Sequence, residues 1–194
     1  MPALLPAELA WYVTGRFYAT SDGFVADYGY FLHLAGIDGG LFADDTKSES
    51  TAYFTFAAQP FKPGGVTNGA LNLGIDPAGE FSIWLQRTPA GNFDDPSSFA
   101  RGECIATLRR VSVVVGTTVS AGSPSAPILA SNVFSARIVD AVPFEFRGAR
   151  YDLREILGAG ITQFGTAAET SIEPALLDYV AVLPFSGSAL ALKP

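Results

Sequence analysis

One cysteine and one histidine among 194 residues leave little room for metal or disulfide chemistry. A lone Cys104 excludes an intrachain disulfide and a thiolate zinc cluster. A lone His33 excludes HExxH zinc sites and two-histidine iron sites. The chain has no GxSxG elbow to carry a nucleophilic serine and no Walker A sequence to cradle phosphates. Gly158-Ala159-Gly160-Ile161-Thr162-Gln163-Phe164-Gly165 has the wrong spacing for a dinucleotide fingerprint and lacks its strand-then-helix frame.

Charge is also scarce. Asp, Glu, Lys and Arg make up 16% of the residues, the formal net charge is -7, and Lys and Arg form no run longer than two. Nucleic acids and anionic membranes both need clustered cations, so neither is an expected partner. No apolar run approaches the roughly 20 residues that a helix needs to cross a bilayer. The segment Met1 to Glu8 has no basic region, and Pro6 interrupts its short apolar stretch, so it does not read as a signal peptide. Together with the single cysteine, this makes a cytoplasmic setting the expectation.

Aromatic residues are abundant: fifteen Phe, seven Tyr and two Trp in a chain that is 48% apolar. That composition builds a core and is the reverse of a disordered one. The period is two almost throughout. Over residues 10–20, Trp11, Val13, Gly15 and Phe17 alternate with Tyr12, Thr14, Arg16 and Tyr18, and the Asp22-Gly23 pair predicts a tight turn into a second strand at about 24–36. Residues 38–50 read as a loop and 51–58 as a third strand. Residues 66–75 and 80–88 read as a second hairpin about Asp76-Pro77-Ala78-Gly79. A loop at 89–102 precedes the clearest β run, 103–115, and the small-residue stretch 116–131 reads as a further loop. A long strand at 131–147 bends at Pro143. A short helix follows at 152–157, with Asp152 as N-cap and Gly158 as stop. Short strands at 161–164 and 179–183 complete the pattern, with a helical turn expected at 174–177.

Seven to nine strands joined mainly by hairpins, without a βαβ rhythm, predict an all-β chain. The expectation is a single domain over 1–194 forming an antiparallel β-barrel, calycin-like in architecture only, or else a sandwich. Large side chains on both faces of the strands favour the barrel.

Three clusters carry candidate chemistry. Tyr12, Arg16 and Tyr18 share one face of the first strand, with Tyr28, Tyr30 and Asp27 on its partner. Pointed inward, they would line a cavity with phenols around one guanidinium, the usual make-up of a small-molecule site. Pointed outward, they would be an ordinary solvent face. His33 and Trp84 complete this candidate ligand-binding set. Arg147, Arg150 and Arg154 could clamp an anion or close the barrel end with surface ion pairs. In the loop 92–103, Asp94 and Asp95 offer only a weak cation signal, and Phe93 and Phe99 would pin the loop over an open barrel end. Glu103, at the loop-to-strand join, is the candidate catalytic acid or base, with Arg16 as its cationic partner, against a plain exposed strand end. Cys104 reads as a buried, inert thiol.

Three functions follow from these residues. The first is binding of a small apolar or aromatic molecule in a barrel cavity, without a cofactor or metal. The second is a cofactor-independent isomerase or cyclase using the same cavity. The third is a homo-oligomer assembled through apolar faces, since a surface poor in charge suits an interface.

Overall fold

The computed structural model describes residues 4–61, 64–68, 71–76, 79–111, 114–120, 127–168, 170–172, 176 and 178–192. The period-two segment at the start forms β1 (Leu9–Ala19), and Gly23, at a φ of 86° that favours glycine, turns the chain into β2 (Val25–Leu34). Then come β3 (Phe54–Ala58), β4 (Gly64–Asn68), β5 (Leu71–Asp76), β6 (Glu80–Leu85), β7 (Glu103–Arg110), β8 (Val114–Ser120) and β9 (Pro127–Ala141). A small hairpin, β10 (Phe144–Phe146) and β11 (Ala149–Tyr151), leads to helix α1 (Leu153–Leu157), β12 (Gly160–Ala167) and β13 (Ala181–Leu192). Asp152 caps α1 by accepting a hydrogen bond from the Arg154 amide at 2.8 Å, and Gly158 ends it.

Eight strands in the order β12-β13-β1-β2-β3-β6-β7-β9 close on themselves, because β12 pairs with β9 as well as with β13. The fold is therefore an all-β closed antiparallel barrel and not a sandwich. Closure removes the free edges that an open sheet would present. Beyond the barrel, β7 and β8 run end to end along β9, which pairs with β7 through residues 136–141 and with β8 through residues 127–133. Strands β4 and β5 continue outward from β8, so the sheet extends past the barrel wall.

Two expected connections differ. Strands β5 and β6 do not form a hairpin: β5 pairs with β4 and β8, while β6 pairs with β3 and β7. The hairpin is β4–β5, with Asn68 opposite Leu71 at its end. The small-residue stretch 116–131 is not one loop, since β8 runs to Ser120 and β9 starts at Pro127. The helical turn expected at 174–177 lies largely outside the described residues.

The strands bury both faces. Trp11, Val13, Phe31, Phe56, Ile83, Leu108, Phe134 and Phe185 point into the barrel and fill it. Gly15 and Gly29 face each other across β1 and β2 among these residues. A Cβ on Gly29 would stand 2.6 Å from the Gly15 Cα and 2.7 Å from the Phe56 ring, so only glycine lets the wall close there. Outside the wall, the loops between β2 and β3 and between β6 and β7 form a second layer over β1, β2 and β3. Phe42, Phe93 and Phe99 of these loops are buried against Tyr18, Tyr30 and Thr55.

Candidate functional site: a buried ion pair inside the barrel

Asp27 on β2 and Arg110 on β7 stand in phase with the inward residues Phe31 and Leu108 of their own strands, so alternation alone carries both charges into the barrel. Asp27 is 6% exposed and Arg110 is 3% exposed. Their contact is a single one, Arg110 Nη2 donating to Asp27 Oδ1 at 3.3 Å. The guanidinium lies between aromatic faces, 4.8 Å from the Phe134 ring centroid, 5.0 Å from Phe61 and 5.7 Å from Phe81. Burial pushes the Asp27 carboxyl above the usual carboxylate range, and the Arg110 charge pulls it part of the way back.

Two small chambers adjoin the pair. One of about 10 Å³ lies between Trp11, Asp27, Phe81 and Gln163, and the Trp11 indole N–H donates to Gln163 Oε1 at 3.2 Å beside it. The other, of about 40 Å³, lies against Arg110 and is walled by Phe61, Asn132, Gln163 and Phe185, among others. Phe61 and Asn132 are half-buried, so this second chamber leads toward solvent. Among the described residues, Arg110 Nε, Arg110 Nη1 and Asn132 Oδ1 are buried polar atoms without a hydrogen-bond partner. Buried donors of this kind are seldom left unmet, and a guanidinium least of all.

No family model, curated protein or solved structure matches this chain. The site therefore rests on its own geometry.

The tyrosine face named from the sequence does come together, but it points out of the barrel. Tyr12, Arg16 and Tyr18 on β1 sit opposite His33, Tyr28 and Ala26 on β2, and Tyr30 lies opposite Thr14. Tyr18 is fully buried, yet beneath the outer loop: its hydroxyl donates to the Phe93 carbonyl at 2.8 Å, and burial pushes its pKa upward. The Arg16 guanidinium stacks on the Phe93 ring at 4.2 Å. Tyr28 packs edge-on against Tyr18, and Tyr30 against Phe42 and Phe93. The loop 89–102 is thus pinned by Phe93 and Phe99 to the outside of the wall rather than over an open end. His33 is exposed and tilted against Tyr12, their ring centroids 6.2 Å apart. Trp84 also points outward, opposite Thr55 and Cys104, and its indole nitrogen is buried without a partner among the described residues.

Glu103 is an exposed strand end, as its plainer reading had it. Both of its oxygens accept from Arg87, at 2.8 and 2.9 Å, which holds its pKa below the ordinary value. Arg16 and Glu103 do not share a partner: one rests on Phe93, the other pairs with Arg87. Of the arginines at 147–154, Arg147 is spent on the Phe42 carbonyl and the Phe146 and Tyr53 rings and Arg154 on the Ile138 carbonyl, while Arg150 is exposed. No metal-binding group of His, Cys, Asp and Glu occurs among the described residues. Cys104 is only half-buried, with its thiol near the Thr107 hydroxyl. No helix among the described residues is long and apolar enough to cross a membrane.

Arg110, Gln163 and Asn132 were not among the residues that the sequence singled out for a site. A signal for Arg110 was present. A charge in phase with buried apolar neighbours, as in Leu108 and Arg110, is where a buried polar group announces itself.

Proposed function

We propose that this protein binds a small molecule inside its barrel, with the chamber against Arg110 as the polar end of the site. The observation that carries this reading is Arg110 itself, a buried cation with Nε and Nη1 unpartnered beside a chamber that leads toward solvent. Phe17, Phe61, Phe134 and Phe185 around it supply apolar contact, so the site combines aromatic walls with a few convergent polar groups. Chambers of about 10 and 40 Å³ are smaller than an aromatic ring. A bound aromatic body would therefore sit at the mouth, by Phe17 and Phe61, with its polar end inside.

The test is native mass spectrometry of freshly purified protein against its denatured mass, for the wild type and for Arg110→Met. The expected result is a small mass carried by the wild type, lost on denaturation and absent from the variant. A bare wild-type mass, with no thermal stabilisation by any compound of a small-molecule panel, overturns the reading.

An assembly role is the second reading, and it too has an observation in its favour. On the outer wall, a groove of about 460 Å³ crosses β9, β12, β13, β1 and β2 without a charged residue in its lining. Tyr12, Leu32, Val133 and Phe164 are all exposed there.

A further inference from the structure

The chamber's chemistry narrows what its occupant can be, given that the barrel interior is a binding site at all. Among the described residues, only two that line the chamber ionise, Asp27 and Arg110; the rest are Phe17, Phe61, Phe134, Phe185, Asn132 and Gln163. One cation without a second beside it suits a single negative charge, not the double charge of a phosphate monoester. Asp27 takes one contact at Nη2 and leaves the N–H groups of Nε and Nη1 free. The volume points the same way. At roughly 10–15 Å³ for each water, a chamber of about 40 Å³ holds about three waters. That is the size of a carboxylate with its adjoining carbon.

We propose that the chamber receives the carboxylate of a small monocarboxylic acid, which accepts from an Arg110 N–H group that Asp27 leaves free. The acid's apolar body lies against Phe17 and Phe61 at the mouth. Two carboxylates on one guanidinium within aromatic walls cannot both stay charged, so one must hold a proton. That one is Asp27, already biased toward its neutral form by burial. Binding of the anion is then coupled to a proton on Asp27, taken from solvent where Asp27 was ionised. Among the described residues, Arg110 is the only charged group facing Asp27 in the chamber. Asn132, whose Oδ1 has no donor, lines the same chamber and stands ready for a water beside the ligand.

The experiment is isothermal calorimetry with three acids and their amides: acetate and acetamide, hexanoate and hexanamide, phenylacetate and phenylacetamide. For at least one pair, the wild type should bind the acid about tenfold or more tightly than the amide, as a charge-assisted contact requires. Acid binding should weaken as pH rises and Asp27 loses its proton, measured above the acid's own pKa so that the acid itself stays ionised. The variant Arg110→Met with Asp27→Leu replaces the pair by apolar side chains of similar size, an exchange that leaves a fold standing. It should bind acid and amide alike. Amides bound as tightly as acids by the wild type, or a native mass that proves to be a non-acid, overturn the acid assignment and leave the binding barrel intact. No binding of any pair together with a bare native mass overturns both.

Discussion

Asp27 tests how a single buried carboxyl shapes stability. Its pKa in the folded state is raised above the ordinary value, mainly because burial penalises the charge and only partly because Arg110 compensates. Folding therefore favours the protonated form. The sign follows: this group's contribution is fully present below its unfolded pKa, about 3.9, and is lost as pH rises through the folded value. Urea midpoints for the wild type and Asp27→Asn, taken from about pH 4 to 8, should show the wild type losing ground against the variant as pH rises. A difference moving the other way would mean that Arg110 outweighs burial and that the pair is held charged. The same residue shows what the sequence could and could not say. Alternation grouped Tyr12, Arg16, Tyr18, Tyr28 and Tyr30 correctly on one face, but Asp27, set beside them, lies inside the barrel opposite Phe17. Which face looked inward was not legible. The outer face of β1 and β2 is as aromatic as the inner, because loops from elsewhere in the chain bury it.

The loop between β6 and β7 makes that point at the level of an element. Besides the Tyr18 bond to Phe93, it is held to the wall by the buried Gln86, whose Nε2 donates to the Ser98 carbonyl at 2.9 Å and to Thr55 Oγ1 at 3.3 Å. Its Oε1 accepts from the Ala90 amide at 2.9 Å, and Thr55 in turn donates to the Phe99 carbonyl at 2.7 Å. Gln86→Leu would remove these three Gln86 hydrogen bonds, each worth about 0.5–1.5 kcal/mol, while the Ser98 carbonyl keeps the Arg101 amide at 3.2 Å. The expected outcome is a loss of about 2–4 kcal/mol, read by urea denaturation, with faster amide exchange confined to residues 90–101. A variant as stable as the wild type would mean that Phe93 and Phe99 hold the loop by packing alone. The sequence marked 89–102 as an ordered loop through its two phenylalanines. It did not mark Gln86, which reads there as one more polar residue in an alternating strand. The strands tell a parallel story: those with clean alternation, β1, β2, β6 and β7, were legible. β8 and the start of β9 were not, because Gly, Ser, Thr and Pro are loop formers unless a long neighbouring strand supplies the ladder.

For the whole molecule, the unresolved choice is between a barrel that acts alone and one that assembles, and the outer wall decides it. Loops cover part of the outer wall, and a bare side remains where the groove across β9, β12, β13, β1 and β2 is lined by strand residues alone. On that bare side the groove floor is made of small residues, Gly165, Thr166, Ser186, Gly187 and Ser188, flanked by the exposed Phe164, Val133, Leu32 and Tyr12. Burying a Phe of this kind between two copies stabilises by about 1.5–3 kcal/mol for each ring. A carboxylate in its place would have to be desolvated without a partner and would meet a second copy already carrying a charge of -7. Sedimentation velocity over a wide concentration range should therefore separate the readings. If the wild type sediments as a multiple of 20.4 kDa, Phe164→Glu should return it to the single chain without lowering its thermal midpoint, since Phe164 points away from the core. A multimer unmoved by Phe164→Glu would put the interface elsewhere. A wild type that stays a single chain at every concentration removes the assembly reading.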